Sequence, residues 1–350
     1  MRAITNTTIE ENKYMKIVNP SVEIMRTGFE TLNDFTPEQF IEKVGRTCYK
    51  SEDRITEDSA AKFVGNLIER GHEAMIEHWN LIFKTNSGTY EDFKSDLNLL
   101  LEGSNIPLTE RLRPYLKFTD CDFDDGDIRH IVSGNMRAWR DFAKACVTGL
   151  GIIPQYMWGL VRNYPLFFPE YQSYIPETFT NNLFIPMTVE ELNDFERIIH
   201  QDITMKFVCD RGVSHEIVRH RVASFAQEST RYCNYGKEKF GKEITVVKPA
   251  WCDEGDAKYE FWRSGCCFAE SAYFGLLEDK GCTPQEARSV LPNSLKTEII
   301  VTMNLDGWNH FFDLRCAEGA HPDMKKVATM AKELFDQVTF SDEKDIFDYI

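Results

Sequence analysis

The chain has 350 residues, 42% hydrophobic and 27% charged, with 56 acidic against 40 basic side chains and a formal charge of −16. That length and composition supply a sizeable core, in one large domain or two smaller ones, and exclude a disordered chain. The acidic excess argues against general nucleic-acid binding, and no apolar run reaches the roughly 18 residues of a membrane span.

In chain order, MKIVNPSVEIMR predicts a first strand, followed by helices at about Pro37–Cys48 and Glu57–Arg70, the second closed by Gly71. Asn80–Lys84 predicts a strand, Tyr90–Glu102 a helix, RLRPYLKF a strand, and the region around Asn135–Thr148 a long helix. NYPLFFPEYQSYIPETFTNNLFIP, rich in proline and aromatics, predicts an ordered loop. Thr188 with Glu191 has the capping-box pattern and is expected to open a helix running to His200. Residues 87–200 therefore look like a mainly helical insertion between two parts of one core, residues 1–86 and 201–350.

Ile203, Met205, Phe207 and Cys209 alternate with polar residues, predicting a strand that feeds a short helix at about Arg211–Arg219. The C-terminal third is expected to be mostly helical: Lys258–Lys280 ending at Gly281, then a helix opened by Thr283-Pro284-Gln285-Glu286. A further helix is capped by Asp306 and carries Trp308, Phe311, Phe312 and Arg315 on one face, and a last one runs from Pro322 to Gln337. The fold class is α+β, a mixed sheet core with packed helices. The opening MRAITNTTIEENKYMK lacks an apolar signal-type stretch, and ten unevenly spaced cysteines lack a CxxC, so a cytoplasmic chain with reduced thiols is expected.

The stretch RHRVASFAQESTRY places Arg219, His220, Arg221 and Arg231 within thirteen residues of an acidic chain. On a helix continuing to Arg219, Glu216 would share a face with Arg219 and His220, forming a solvated ion-pair surface. Against that reading stand the neighbouring Gln227, Ser229 and Thr230, whose amide and hydroxyl groups can bind phosphate or a heterocycle. Lysine is absent from the stretch, and guanidinium forks recognise phosphate or an imide bidentately. An anion site is the better account. Arg315 and Arg288 also lie in apolar settings, where each is either a structural ion pair or a ligand contact. His72 and His78 are six residues apart and do not make a metal pair, and no metal site is expected. There is no P-loop, no dinucleotide fingerprint at Gly149–Pro154 and no GxSxG elbow.

Arg219-His220-Arg221, seven residues and then Ser229 resembles the RHRx7S signature of the flavin-dependent thymidylate synthases. GHEAMIEH, ARSVLPNSLKT and NLDGWNHFFDLR resemble further segments of that family, so the likeness covers roughly residues 15–85 and 200–338. The resemblance implies reductive methylation of dUMP to dTMP, with methylenetetrahydrofolate supplying the carbon and NADPH reducing FAD. It implies FAD contacts at His72, Arg219, His220, Arg221, Gln227, Asn304 and His310. It places dUMP among Glu216, Arg219, Gln227, Glu228, Ser229, Arg231, Arg288 and Arg315, with Arg315 and Ser229 at the chemistry. It also implies a homotetramer. Ala226, Asp306 and Ala74 depart from the family pattern; Ala226 and Asp306 leave nucleotide binding without turnover as one alternative, and hydroxymethylation of a pyrimidine nucleotide is another.

Overall fold

The computed structural model describes residues 9–11, 15–30, 34–102, 115–122, 128–179 and 183–339. Its strands, in chain order, are β1 Ile9–Glu11, β2 Met15–Val18, β3 Ser21–Arg26, β4 Asn80–Thr85, β5 Leu116–Asp122, β6 Ile128–Asn135, β7 Ile185–Pro186, β8 Asp202–Asp210, β9 Ser224–Gln227, β10 Ile244–Val247 and β11 Lys296–Asn304. With the helices between them they make an α+β protein. Among the described residues no helix is long and apolar enough to cross a membrane. The chain divides into two compact units, one of residues 1–27, 45–53 and 203–350, the other of residues 28–44 and 54–202.

The first unit contains a sheet of order β3-β8-β11-β9. The alternating apolar residues of β8 are buried as expected, and Thr204 between them is buried too because its hydroxyl meets that of Thr302 on β11 at 2.8 Å. Helix Leu305–Arg315 and helix Pro322–Thr339 complete this core. Trp308 donates its indole N–H to the Ile203 carbonyl at 3.0 Å and stacks on Phe207, while Phe312 meets Phe335 edge-on at 5.1 Å. Asn304, not Asp306, caps the first of these helices, its Oδ1 accepting the Gly307 N–H at 3.1 Å. Asn304 also ends β11, so one residue closes the strand and starts the helix.

A second sheet, β1-β2-β10, packs in a core containing Tyr259, Cys266 and Tyr273 of helix Ala257–Phe274, residues spaced by seven along one face. MKIVNPSVEIMR is thus two strands in different sheets, split at Pro20, which has no N–H to give a continuous ladder. The C-terminal third is less purely helical than expected, since it holds β11, whose centre is buried on both faces. The helix predicted to end at Lys280 passes into a π turn, Gly275–Asp279, before Gly281 takes a φ of +67°.

The second unit carries an antiparallel sheet of order β5-β6-β4-β7. Helix Ser87–Glu102 and helix Met136–Leu150, the latter capped by Asn135, belong to this unit. Phe93 and Trp139 from these helices cluster with Phe83 of β4 and with Phe184. The region is less helical than residues 87–200 promised, because β5, β6 and β7 lie within it. The first part of RLRPYLKF, residues 111–114, lies outside the described residues. The proline-rich stretch follows a helical turn at Trp158–Asn163 and includes a 3-10 turn at Pro169–Tyr174, with residues 180–182 outside the description. The Thr188–Glu191 capping box forms but opens only a 3-10 turn, Val189–Glu191; helix Asp194–His200 starts from a second box, Asn193 with Glu196.

Candidate functional site

Helix Arg211–Ile217 begins where β8 ends, with the Asp210 carboxylate accepting the Val213 N–H at 2.7 Å. It is shorter than expected, so Glu216 does not share a helical face with Arg219 and His220. Single i→i+3 turns carry the chain onward, Arg219 N–H to Glu216 O and His220 N–H to Ile217 O, both at 3.2 Å. This turn still leaves Glu216 and His220 close enough for one guanidinium to reach both. Arg219 and Arg221 face solvent, while His220 is buried.

Arg315, from the last turn of helix Leu305–Arg315, reaches this turn. Its Nε donates to His220 Nε2 at 2.8 Å, one terminal nitrogen pairs with the Glu216 carboxylate at 2.7 Å, and the other donates to the Glu216 carbonyl at 3.2 Å. His220 also lies edge-on to Phe311 at 4.8 Å and 6.1 Å from the exposed ring of His310. Burial, then the Arg315 guanidinium and then His310 pull its pKa down to about 4, so at neutral pH it accepts from Arg315 as an uncharged ring. Of the two alternatives for Arg315 the ion pair, with Glu216, is formed, and the same contacts hold its guanidinium beside the arginine turn.

β9 and its continuation supply a second group. The Gln227 amide donates to Ser214 Oγ at 2.8 Å and Thr297 Oγ1 at 3.2 Å, which uses its donors and leaves its oxygen as the acceptor. The Ser229 N–H is held by the Cys48 carbonyl at 2.9 Å, and its Oγ accepts from the Arg231 N–H at 3.3 Å. Arg288 reaches Thr230 Oγ1 at 3.4 Å, and Arg231 lies over the Tyr232 ring. The Glu228 carboxylate is buried against Lys296 at 3.1 Å, and in this structure serves an ion network.

That network escaped the sequence reading. Lys296 and Glu298 alternate on one face of β11 and join at 2.6 Å, with Lys50 also on Glu298 and Lys206 bridging Glu23 to Glu298. Burial alone would raise the Glu298 pKa; Lys296 and Lys50 outweigh it and hold the group down at about 2. Burial likewise works against a charged Lys296, and Glu228 and Glu298 overcome it to raise its pKa. The period-two pattern in LKTEII was the available signal.

Asn304 spends its side-chain oxygen on the helix cap described above, while His310 remains exposed. His72 belongs to the other unit, exposed at the start of the 3-10 turn Glu73–His78, and His78 is fully buried. The buried thiols, Cys48, Cys209 and Cys233 among them, are pushed to higher pKa by desolvation, the opposite of what a nucleophile needs.

Among the described residues, Arg219 and Arg221 have no carboxylate partner, whereas Arg137, Arg140 and Arg315 are paired. Two neighbouring exposed guanidiniums could take an anionic ligand. Such a donor set suits a pyrophosphate or phosphomonoester.

Comparison with known proteins bears on this cluster. Residues 173–339 match the family described as thymidylate synthase complementing protein. The flavin-dependent thymidylate synthase of Pyrococcus furiosus is 38% identical over 120 residues, covering 34% of this chain and 48% of that protein. The Geobacter sulfurreducens enzyme of the same name is 37% identical over 118 residues, 34% of this chain and 49% of that protein. The Mycolicibacterium gilvum enzyme is 27% identical over 176 residues, 45% of this chain and 68% of that protein. The chain thus spans about half the length of the first two relatives. Among solved structures, a UMP/dUMP methylase, PolB, from Streptomyces cacaoi bound with 5-Br dUMP is 23% identical with a TM-score of 0.33, covering 40% of this chain and 67% of that one.

Proposed function

We propose that the chain is a flavin-dependent thymidylate synthase, converting dUMP to dTMP with methylenetetrahydrofolate as carbon donor and NADPH as reductant. The observation that carries this reading is the unpaired Arg219 and Arg221 pair flanking a buried, uncharged His220, which Arg315 holds at 2.8 Å. It is supported by the 36–38% identity to enzymes of that name. The cationic donor set fits FAD, whose pyrophosphate Arg219 and Arg221 would hold, with His220 and His310 beside it. When bound, the flavin supplies hydride-transfer chemistry.

In this reading the chain's own residues bind and orient the nucleotide. Ser229 and Arg231 would take the dUMP phosphate, helped by Arg288, and the free oxygen of Gln227 would accept from a bound ligand. Arg315, whose orientation is fixed by Glu216 and His220, would place positive charge where an imide loses its proton, and that interaction strengthens as charge develops. Asn304, Glu228 and His72 are retained from the family likeness, with Asn304 and Glu228 acting through the helix cap and the Lys296 network. We also hold residues 87–200 to be an insertion, the assembly to be a homotetramer with no nucleic-acid partner, and the location to be cytoplasmic. The experiment is an absorption spectrum of the purified chain with and without added FAD, followed by turnover of dUMP. Flavin absorbance and a dTMP product are expected. No flavin binding at micromolar FAD overturns the proposal.

A further inference from the structure

The second unit contains a group of side chains that the nucleotide chemistry does not use. β6 runs between β4 and β5, and in the register His130 lies opposite Asp120 on one side and Thr85 on the other. Thr85 is the last residue of β4, and two residues later Ser87 opens helix Ser87–Glu102. Three strands and a helix start therefore converge on one imidazole. His130 Nδ1 lies 2.8 Å from Asp120 Oδ1, and His130 Nε2 lies 2.8 Å from Ser87 Oγ.

The electronic consequence follows from the carboxylate. A carboxylate accepts only, so it holds N–H at Nδ1, and in the neutral ring the lone pair is then at Nε2, facing the serine hydroxyl. Tyr90, one helical turn after Ser87, stacks on the imidazole with centroids 4.6 Å apart and holds its plane. His130 is buried, while Ser87 is exposed and open to a substrate. His200, in the same unit, makes the contrast. Both its nitrogens meet hydroxyls, Ser133 at 2.7 Å and Thr119 at 2.9 Å; it is fully buried, and burial lowers its pKa to about 3. It has no carboxylate among these partners and no exposed hydroxyl, as a structural histidine should. His130 differs on both counts.

We propose that Ser87, His130 and Asp120 form a nucleophile–base–orienting-acid site that hydrolyses esters of small apolar acyl groups. The arrangement is that of a serine hydrolase triad, which is recognised by geometry and not by chain order. At the helix start the Thr89 and Tyr90 N–H groups are taken by Asn86, but those of Ser87 and Gly88 precede the intrahelical ladder and are available to a developing oxyanion. Phe118 lies two residues before Asp120 on the same face of β5, 42% exposed and edge-on to Tyr90, which gives the acyl group an apolar wall. Ser87 Oγ forms the bond to the acyl carbon as its proton passes to His130 Nε2. The bond to the alcohol oxygen breaks, and the alcohol leaves with that proton. Water then repeats the sequence, releasing the acid and restoring Ser87.

The test uses the full chain with diisopropyl fluorophosphate, read by intact mass and peptide mapping, and with p-nitrophenyl butyrate. A single adduct on Ser87 is expected, absent in Ser87→Ala and formed roughly 10²–10⁴-fold more slowly in His130→Gln. Because His130 is buried, Asp120→Asn provides a second variant at a half-exposed position, and it too should slow both labelling and ester turnover. Flavin content and dUMP turnover should be unchanged in Ser87→Ala, which separates this proposal from the nucleotide reading. An unlabelled Ser87, or labelling as fast in folded His130→Gln and Asp120→Asn as in the native chain, overturns it.

Discussion

Acidification should destabilise the first unit through His220 before most carboxylates are protonated. The imidazole accepts from Arg315 at 2.8 Å and is packed against Phe311, so a proton on it would be buried beside a fixed guanidinium. Its folded pKa is about 4, against about 6.5 in an unfolded chain. Between those values the unfolded chain binds a proton that the folded chain does not, so stability falls as pH drops from 6.5. The loss is complete near pH 4, where the folded ring also titrates. Two and a half pH intervals at 1.36 kcal/mol each set the full effect at about 3 kcal/mol. The assay is urea unfolding of the native chain and of His220→Gln from pH 7 to pH 4. Carboxylates titrate in both proteins and cancel in the difference. The glutamine variant, which can still accept from Arg315, should lose about 3 kcal/mol less on acidification. Parallel stability curves across that window would refute the reasoning.

Lys296→Met should cost roughly 3–5 kcal/mol in urea unfolding, because it leaves Glu228 and Glu298 buried without that ammonium; adding Glu228→Gln should recover part of the loss. Arg315→Ala should slow single-turnover conversion at saturating dUMP by roughly 10²–10³-fold. Arg315→Lys should be nearly as poor, since an ammonium cannot meet Glu216 and His220 with a planar fork; near-native rates in both would make Arg315 structural. Ser229→Ala should weaken dUMP binding in calorimetry while leaving turnover measurable, and a nucleotide adduct on Ser229 during turnover would contradict that role.

What the sequence disclosed was whatever a short window contains. The alternation in β8 and the apolar stripe of helix Pro322–Thr339 are both buried as read. The Thr283–Glu286 capping box forms where it was expected. β11 was missed because its polar alternation stops at Glu298 and Ile299, Ile300 and Val301 are buried on both faces, so only its first residues have a polar period. The Thr188 box was over-read for the opposite reason. Its local chemistry is correct, but a second box five residues on, Asn193 with Glu196, starts the longer helix.

The candidate site divides the same way. RHRx7S marked the arginine turn because its residues are neighbours in the chain, whereas the residue that fixes the turn, Arg315, sits 95 positions from His220. Sequence could name Arg315 as a charge needing a partner; only the fold could choose Glu216 from among 56 acidic residues. Cross-strand groups were still less legible. Lys296, Glu298 and Glu228 meet because β9 pairs with β11, and Ser87, His130 and Asp120 meet because β4, β6 and β5 lie side by side. Each of those residues is unremarkable in its own window, since an isolated serine, histidine or lysine has many uses. Register is what turns them into a network, and register is fixed by burial across the whole sheet. A cluster whose residues are neighbours in the chain can be named from the sequence alone, and one assembled by strand pairing cannot.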